Sequence, residues 1–370
     1  MENDQTDIAE KVKEITKDAT TDKEKVSAIY YWVQDNIRYI AFEDGIAGFK
    51  PDACQNVYNK KYGDCKGMAN LTKEMLKIAG YDARLVWMGT RRLAYDYSIP
   101  SLAVDNHMIC AVFLDDEVYY LDPTEKYGAF GEYAERIQGR PVLIEDGENY
   151  LLKEIPKATL EGNATKTTMS VELNNDDLAG KITHIYKGES KSSLLYGLNS
   201  IENDRKEDAL KYYLNSGDNN YKIDQLNMPD LELRDGDIEL AYDITLKNKT
   251  SSFDNDIYIE LDAFKEFEQF KMEDDRKNDY QFSYKILIDT EIELTIPEGY
   301  AVTYLPEKLL IDKDHYNFSL QYEKKNGKLI YKKKLALKNT VLPKQEFKTW
   351  NENIKQLKAF YAEQVTLTKQ

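Results

Sequence analysis

A chain of 370 residues is too long for one ordinary hydrophobic core and long enough for two or three. Its 50 basic and 66 acidic side chains give a net charge of −16, which argues against a protein that holds nucleic acid through its phosphates. Three cysteines and three histidines argue against a disulfide-stapled scaffold and a multi-cysteine metal site, so we predict neither a metal nor a cofactor. Any chemistry between cysteine and histidine must come from this short set.

The N-terminus does not have the pattern of an export signal. Its first seven residues, Met1–Asp7, are acidic and polar, whereas a signal peptide has a basic start followed by an apolar stretch. No window of the sequence approaches the ~20 apolar residues of a membrane-spanning helix. We therefore expect no membrane span in this chain.

Helices come first along the chain. Apolar residues recur at steps of three and four at Val26, Ile29, Val33 and Ile37. Thr21 and Glu24 have the Ser/Thr-x-x-Glu form of a capping box, so this helix is predicted to start at Thr21. A second helix is predicted from Asp64 to Gly80, where a glycine can adopt the left-handed conformation of a helix end.

Strand-like runs follow the second helix, at Ala83–Trp87, Met108–Leu114 and Val118–Leu121. Helices followed by an antiparallel sheet predict an α+β domain over residues 1–155. Asp115 and Asp116 are predicted to turn the last two runs into a hairpin in which Ile109 faces Asp122.

The rest of the chain is β-rich. Alternating apolar and polar residues predict a β-sandwich-type region over residues 163–370, either as one body or as two subdomains at about 163–280 and 281–370. Asn326-Gly327 is a signal for a type I′ hairpin.

Two helices are predicted within this β-rich region. One covers Lys191–Leu214, and the other closes the chain with a buried stripe of Phe347, Trp350, Ile354, Leu357 and Tyr361. The run Lys332-Lys333-Lys334 is interpreted as an edge strand or a solvated face that blocks edge pairing.

Cys65 is the strongest candidate for a reactive residue. It lies in Gly63-Asp64-Cys65-Lys66, at the first turn of the second predicted helix. The unpaired backbone N–H groups and the positive end of the helix dipole favour a thiolate there, and Lys66 adds a positive charge nearby. The alternative is that Cys65 is a small buried hydrophobic residue, as most free cysteines are.

His107 gains significance from its relation to Asp122. The predicted hairpin puts both on one sheet face as diagonal neighbours, ~7–8 Å apart by backbone, which lets the carboxylate orient the imidazole. Cys65, His107 and Asp122 then supply a nucleophile, a general base and an orienting carboxylate. The backbone N–H of Cys65 is a candidate donor to an oxyanion.

Three segments in this order carry a family resemblance. Gly63-Asp64-Cys65-Lys66, Asn106-His107 and the Tyr-Tyr-Leu-Asp-Pro-Thr segment at 119–124 resemble the transglutaminase-like superfamily of papain-fold cysteine enzymes. The likeness is to its bacterial branch, in which a β-rich domain of unknown function follows the catalytic core. It covers about residues 20–150 strongly and extends weakly to the C-terminal end, where Pro297-Glu298-Gly299-Tyr300 is similar to the branch's last domain.

The resemblance implies a papain-like core in which Cys65, His107 and Asp122 are catalytic. The expected reaction is acyl transfer on a peptide or protein through a thioester, which water resolves in a peptidase or amidase and an amine resolves in a transglutaminase. Trp87 and Asn106 are candidate residues of the substrate groove, although core packing explains Trp87 equally well. The alternative function is a non-catalytic peptide- or glycan-binding protein that uses a transglutaminase-like cleft.

The chain departs from this branch in two respects. Its members usually carry a further β domain before the core and commonly an export signal, and neither is found here. We therefore expect a trimmed or naturally short form of a periplasmic or exported protein, with a cytoplasmic location as the alternative. No feature of the sequence predicts an oligomeric state.

Overall fold

The computed structural model describes residues 6–41 and 45–370, so the first five residues of the predicted 1–155 domain lie outside the described part. The chain forms two compact units, Met1–Ala158 and Thr159–Gln370. Helix accounts for 27% and strand for 35% of the structure, which confirms the predicted mixed fold with a strand-rich C-terminal region.

The first unit has helices first and a sheet afterwards, as predicted. The helices within its described part are α1 (Thr6–Thr16), α2 (Asp22–Asn36), α3 (Cys54–Lys60) and α4 (Cys65–Ile78). The strands are β1 (Arg38–Tyr39), β2 (Tyr62–Gly63), β3 (Asp82–Met88), β4 (His107–Leu114), β5 (Glu117–Leu121), β6 (Pro141–Asp146) and β7 (Asn149–Glu154). Strands β1 and β2 pair in parallel, and the others form an antiparallel sheet in the order β5-β4-β3-β6-β7.

Helix α2 starts where its capping box predicts. The Thr21 hydroxyl accepts a hydrogen bond from the Glu24 N–H at 3.2 Å, and the Glu24 carboxylate accepts one from the Thr21 N–H at 2.9 Å. Two N–H groups that lack helical acceptors are thereby satisfied. The apolar stripe that starts at Val26 is buried in a core shared with α1, α3, α4 and one face of the sheet.

The hairpin of β4 and β5 has the predicted register. Cys110 faces Leu121 and Leu114 faces Glu117, which places Asp122 one residue beyond the last pair. Asp115 and Asp116 have φ angles of 50° and 65°, as a type I′ two-residue turn requires. The turn length therefore keeps Asp122 and His107 on the same face of the sheet.

The second unit contains two larger sheets. Its strands are β8 (Ala164–Asn174), β9 (Asp177–Tyr186), β10 (Tyr221–Asp224), β11 (Ile238–Leu246), β12 (Thr250–Phe253), β13 (Asp256–Ile259), β14 (Tyr280–Gln281), β15 (Ile286–Thr295), β16 (Tyr300–Tyr304), β17 (Leu309–Asp312), β18 (Tyr316–Lys325), β19 (Lys328–Leu337), β20 (Val341–Leu342) and β21 (Val365–Lys369). An eight-stranded sheet has the order β10-β11-β9-β8-β15-β19-β18-β17, and a four-stranded sheet has the order β12-β13-β21-β16.

The single helix expected over Lys191–Leu214 is two helices, α5 (Gly188–Asn199) and α6 (Lys206–Leu214). The first ends where Ser200 donates back to Tyr196, and a short 3-10 turn separates the two. The apolar periodicity of the sequence continues through the break between the two helices, so the pattern alone did not reveal the break.

The interpretation of Lys332-Lys333-Lys334 as an edge strand or a solvated face was wrong for the edge position and for Lys333, whereas Lys334 is exposed. Strand β19 lies between β15 and β18 inside the eight-stranded sheet, and Lys333 is fully buried. The Asn326-Gly327 turn before it was predicted correctly, with φ angles of 52° and 74°.

The closing helix, α7 (Phe347–Ala362), buries its whole predicted stripe. Trp350 packs edge-on against Tyr316 of β18 at 4.7 Å between ring centroids. Its indole N–H donates to the Phe270 carbonyl at 2.7 Å, which satisfies the polar end of a buried side chain. Over the described residues, every helix is too short or too polar to cross a bilayer.

Candidate active site

Cys65 is the first residue of α4, and Asp64 is the N-cap. The Asp64 carboxylate accepts a hydrogen bond from the Gly67 N–H at 2.8 Å, which explains why the helix begins here. Cys65 is 8% exposed and packs in a small cluster with Ala69, Leu85, Met108 and Trp87. Its backbone N–H belongs to the first helical turn, which has no acceptor within the helix.

Lys66 does not act as a free positive charge beside Cys65. Its ammonium lies 2.5 Å from the Asp64 carboxylate, and both side chains are 8% exposed. This ion pair neutralises the charge that the sequence suggested would favour a thiolate. The electrostatic contribution of α4 to Cys65 therefore comes from the helix N-terminus.

His107 and Asp122 form a buried pair next to Cys65. His107 Nε2 lies 2.8 Å from Asp122 Oδ2, and the nearby Cys65 side chain contributes to the raised pKa of the imidazole. Because Nε2 faces Asp122, Nδ1 is the ring nitrogen left for Cys65. The three residues that the sequence predicts as catalytic thus lie together, with His107 bonded to Asp122 and Cys65 near the imidazole, and they are here called the Cys–His–Asp group.

Charges within this group shift the pKa values of both His107 and Asp122. Burial disfavours the imidazolium, but the Asp122 carboxylate, with a smaller contribution from the Cys65 side chain, outweighs burial and raises the pKa of His107 to about 9. Burial also works against the Asp122 carboxylate, yet the charges of His107 and Arg136 hold its pKa well below the usual range. At neutral pH the pair is therefore an imidazolium and a carboxylate.

Arg136 is a residue that sequence reasoning missed. Its guanidinium donates to Asp122 Oδ2 at 2.6 Å and to the Thr124 hydroxyl at 2.9 Å, and Nη1 lies 3.4 Å from His107 Nε2. The Thr124 hydroxyl donates to Asp122 Oδ1 at 2.7 Å. Arg136 lies in the irregular segment between β5 and β6, where no periodicity or spacing links it to Asp122.

Tyr30 also fixes Asp122. The buried phenol on α2 donates to the Asp122 backbone carbonyl at 3.0 Å. A tyrosine in an apolar helical stripe is predicted to lie in the core. The sequence pattern therefore did not distinguish its hydrogen bond to Asp122 from packing alone.

The two candidate groove residues flank the Cys–His–Asp group. Trp87 is half-buried against Cys65 and Met108. Asn106 is exposed, and both ends of its side-chain amide form hydrogen bonds with Thr90. Its Oδ1 accepts from the Thr90 N–H at 2.9 Å, and its Nδ2 donates to Thr90 Oγ1 at 3.1 Å. Asn106 therefore ties the chain that enters β4 to the chain that leaves β3.

Two profiles of known families match the chain. Residues 9–123 match the transglutaminase-like superfamily. The chain carries a transglutaminase-like superfamily domain. Residues 255–367 match DUF3858, a domain of unknown function with a solved structure.

The fold of the chain is similar to a crystal structure named "putative protease" from Parabacteroides distasonis ATCC 8503. The TM-score is 0.56 at 13% identity, over 99% of this chain. The chain spans 56% of the length of that protein. No curated protein matches the chain.

The other two cysteines of the transglutaminase-like unit lie in its core. Cys54 is the first residue of α3 and is 4% exposed. Cys110 is fully buried, and burial raises the pKa of its thiol. Across residues 6–41 and 45–370, no three His, Cys, Asp or Glu side chains are grouped to hold a metal ion.

Proposed function

We propose that this protein is a cysteine-dependent acyl-transfer enzyme that acts on a peptide or protein, with residues 1–155 as its catalytic domain. The observation that supports this most is the buried, hydrogen-bonded pair of His107 and Asp122 with Cys65 near the imidazole. A nucleophile, a base and a carboxylate that orients the base are the parts that acyl transfer requires.

Each member of the Cys–His–Asp group has a proposed role. The imidazolium of His107 stabilises a Cys65 thiolate, which adds to the substrate carbonyl carbon. The Cys65 N–H, at the positive end of α4, donates to the oxyanion that forms. His107 then gives its proton to the departing amine or ammonia, and a thioester on Cys65 remains.

The thioester is resolved by a second nucleophile. Water or a substrate amine attacks the thioester carbonyl, His107 takes the proton from that nucleophile, and the C–S bond breaks to release the Cys65 thiolate beside the imidazolium. Hydrolysis makes the enzyme a peptidase or amidase, and amine transfer makes it a transglutaminase. Trp87 and Asn106 are proposed to border the cleft that holds the acyl donor.

Alkylation of Cys65 tests the proposed nucleophile without a known substrate. Full-length protein is treated with iodoacetamide at neutral pH, and the labelling of each cysteine is followed by peptide mass spectrometry. We expect Cys65 to react faster than a thiol of a denatured control, and His107→Ala to remove this advantage. Cys54 and Cys110 serve as buried internal controls.

The outcome also separates the proposal from a binding protein. A Cys65 that reacts no faster than a denatured thiol, in the wild type as in His107→Ala, would leave the peptide- or glycan-binding alternative. The reaction itself is assigned by incubation with a glutamine-containing protein and a labelled amine. Ammonia release with amine incorporation indicates a transglutaminase, chain cleavage indicates a peptidase, and Cys65→Ala should lose either product while Cys54→Ala keeps it.

A further inference from the structure

Lys333 is the centre of a charged cluster in the second unit, within the region that matches DUF3858. It lies on the interior strand β19 and is fully buried. A lysine almost never lies this deep unless its charge is paired. Two carboxylates, Asp262 and Glu266, provide that pairing from the segment that follows β13.

The geometry brings an amine against a carboxyl carbon. Lys333 Nζ lies 2.9 Å from Asp262 Oδ1 and 2.8 Å from Oδ2, so it contacts both oxygens almost equally. Since both oxygens are bonded to the carboxyl carbon, these two distances leave Nζ no more than about 3.2 Å from that carbon, close enough for a near-attack arrangement. Glu266 Oε2 lies 2.5 Å from the same Nζ, as a proton acceptor would.

The surroundings polarise the Asp262 carboxyl group and exclude water. The Tyr331 hydroxyl donates to Asp262 Oδ2 at 2.8 Å, where negative charge would develop as Nζ adds to the carbon. The Tyr361 ring lies 5.6 Å from Nζ, and its hydroxyl donates to the Glu266 backbone carbonyl at 3.2 Å. Asp262 is 5% exposed, whereas the Glu266 side chain is 28% exposed and gives a route for water to leave.

We propose that Lys333 and Asp262 form an intramolecular amide bond without any other enzyme, with Glu266 as the proton carrier. Glu266 takes a proton from the Lys333 ammonium, and the neutral amine adds to the Asp262 carboxyl carbon. The new C–N bond remains, one carboxyl oxygen leaves with two protons as water, and no oxidant or co-reactant is consumed. The product joins strand β19 covalently to the segment after β13.

The charge balance of the cluster fits this assignment of roles. Burial and the charge of Asp262 raise the pKa of Glu266, against the opposing effect of Lys333, so Glu266 is the carboxylate best suited to accept a proton. Burial disfavours the Lys333 ammonium, but both carboxylates outweigh burial and raise the pKa of the amine. The amine therefore becomes nucleophilic only as its proton passes to Glu266.

The intact mass of the denatured full-length protein tests the proposal. The wild type is expected to weigh one water molecule less than its sequence, and digestion should yield a branched peptide that links Lys333 to Asp262. Glu266→Gln should return the mass to that of the sequence, because the amide side chain cannot carry the proton. Lys332→Arg, at the neighbouring partly exposed position, should keep the loss of water.

An ordinary ion pair predicts a different result. A wild-type protein at its full sequence mass would overturn the proposal, and so would a loss of water mapped to other residues. This outcome is independent of whether any single variant folds. It is also independent of the proposed acyl-transfer function, since Cys65 lies in the other unit and takes no part in the reaction.

Discussion

At the residue scale, two cations share one oxygen of Asp122. His107 Nε2 and Arg136 Nη2 lie 2.8 Å and 2.6 Å from Oδ2. The carboxylate raises the pKa of His107, whereas the positive charge of Arg136 lowers it. Arg136 therefore limits how basic the imidazole becomes while it keeps the carboxylate ionised and oriented.

Removal of the Arg136 charge should move the alkaline limit of Cys65 reactivity upward. In Arg136→Gln the imidazolium loses a repelling cation and gains a larger share of Asp122, so the pKa of His107 rises above its value of about 9. Iodoacetate is an anion that the imidazolium attracts, so its rate of reaction with Cys65 falls as His107 loses its proton. We expect this fall to shift to higher pH by about one unit or less.

The control for this prediction is Arg84→Gln. Arg84 lies on the same sheet, where its guanidinium pairs with Asp82 and Asp146. Its pH profile should match that of the wild type. An Arg136→Gln profile that also matches the wild type would mean that Arg136 only supports the loop between β5 and β6.

At the element scale, local signals predicted what local geometry determines. The capping box at Thr21 and the two-residue turn at Asp115-Asp116 each correspond to a defined backbone conformation. A short sequence motif was therefore enough to predict each structure. The turn length then fixed the face shared by His107 and Asp122. Arg136 escaped prediction because it comes from an irregular segment that reaches Asp122 only through the tertiary fold.

The start of β4 depends on a close backbone approach at Gly89. A Cβ built at Gly89 would lie 2.3 Å from the Val104 carbonyl oxygen, and Arg140 Nε donates to the Gly89 carbonyl at 2.6 Å. Asn106 and Thr90 bond across the same two chain segments. These contacts hold the chain just before His107.

Gly89→Ala should therefore separate the two segments and displace His107. We expect a loss of about 1–3 kcal/mol in the free energy of unfolding from overpacking, together with slower alkylation of Cys65. Denaturant unfolding and alkylation of the folded protein measure the two effects. The matched control is Gly197→Ala in α5, where an added Cβ meets no atom within 4 Å. There the higher helix propensity of alanine should raise the free energy of unfolding by about 0.5–1 kcal/mol. Unchanged stability and labelling in Gly89→Ala would show that the two segments adjust to the added methyl group without a loss in the free energy of unfolding.

At the scale of the whole molecule, the sequence predicted the kinds of elements but not their assembly. Strands β8 and β15 pair in parallel although more than a hundred residues separate them, and this pairing makes one eight-stranded sheet of strands from before and after residue 280. Such pairings depend on long-range packing, which short sequence patterns do not encode. For the same reason a lysine run that looked solvated contains the buried Lys333.

The net charge of −16 predicts that salt affects the reaction with charged peptides. An acidic protein raises the local concentration of cationic substrates, and salt screens this attraction over about 8–10 Å at physiological ionic strength. With acyl transfer as the reaction, kcat/KM for a lysine-rich peptide should fall by about three- to tenfold between low and physiological salt. The same peptide with glutamates in place of the lysines should show the opposite trend, and a neutral version should change little. Equal salt dependence for all three peptides would mean that the charge is spread away from the approach to Cys65 and selects no substrate.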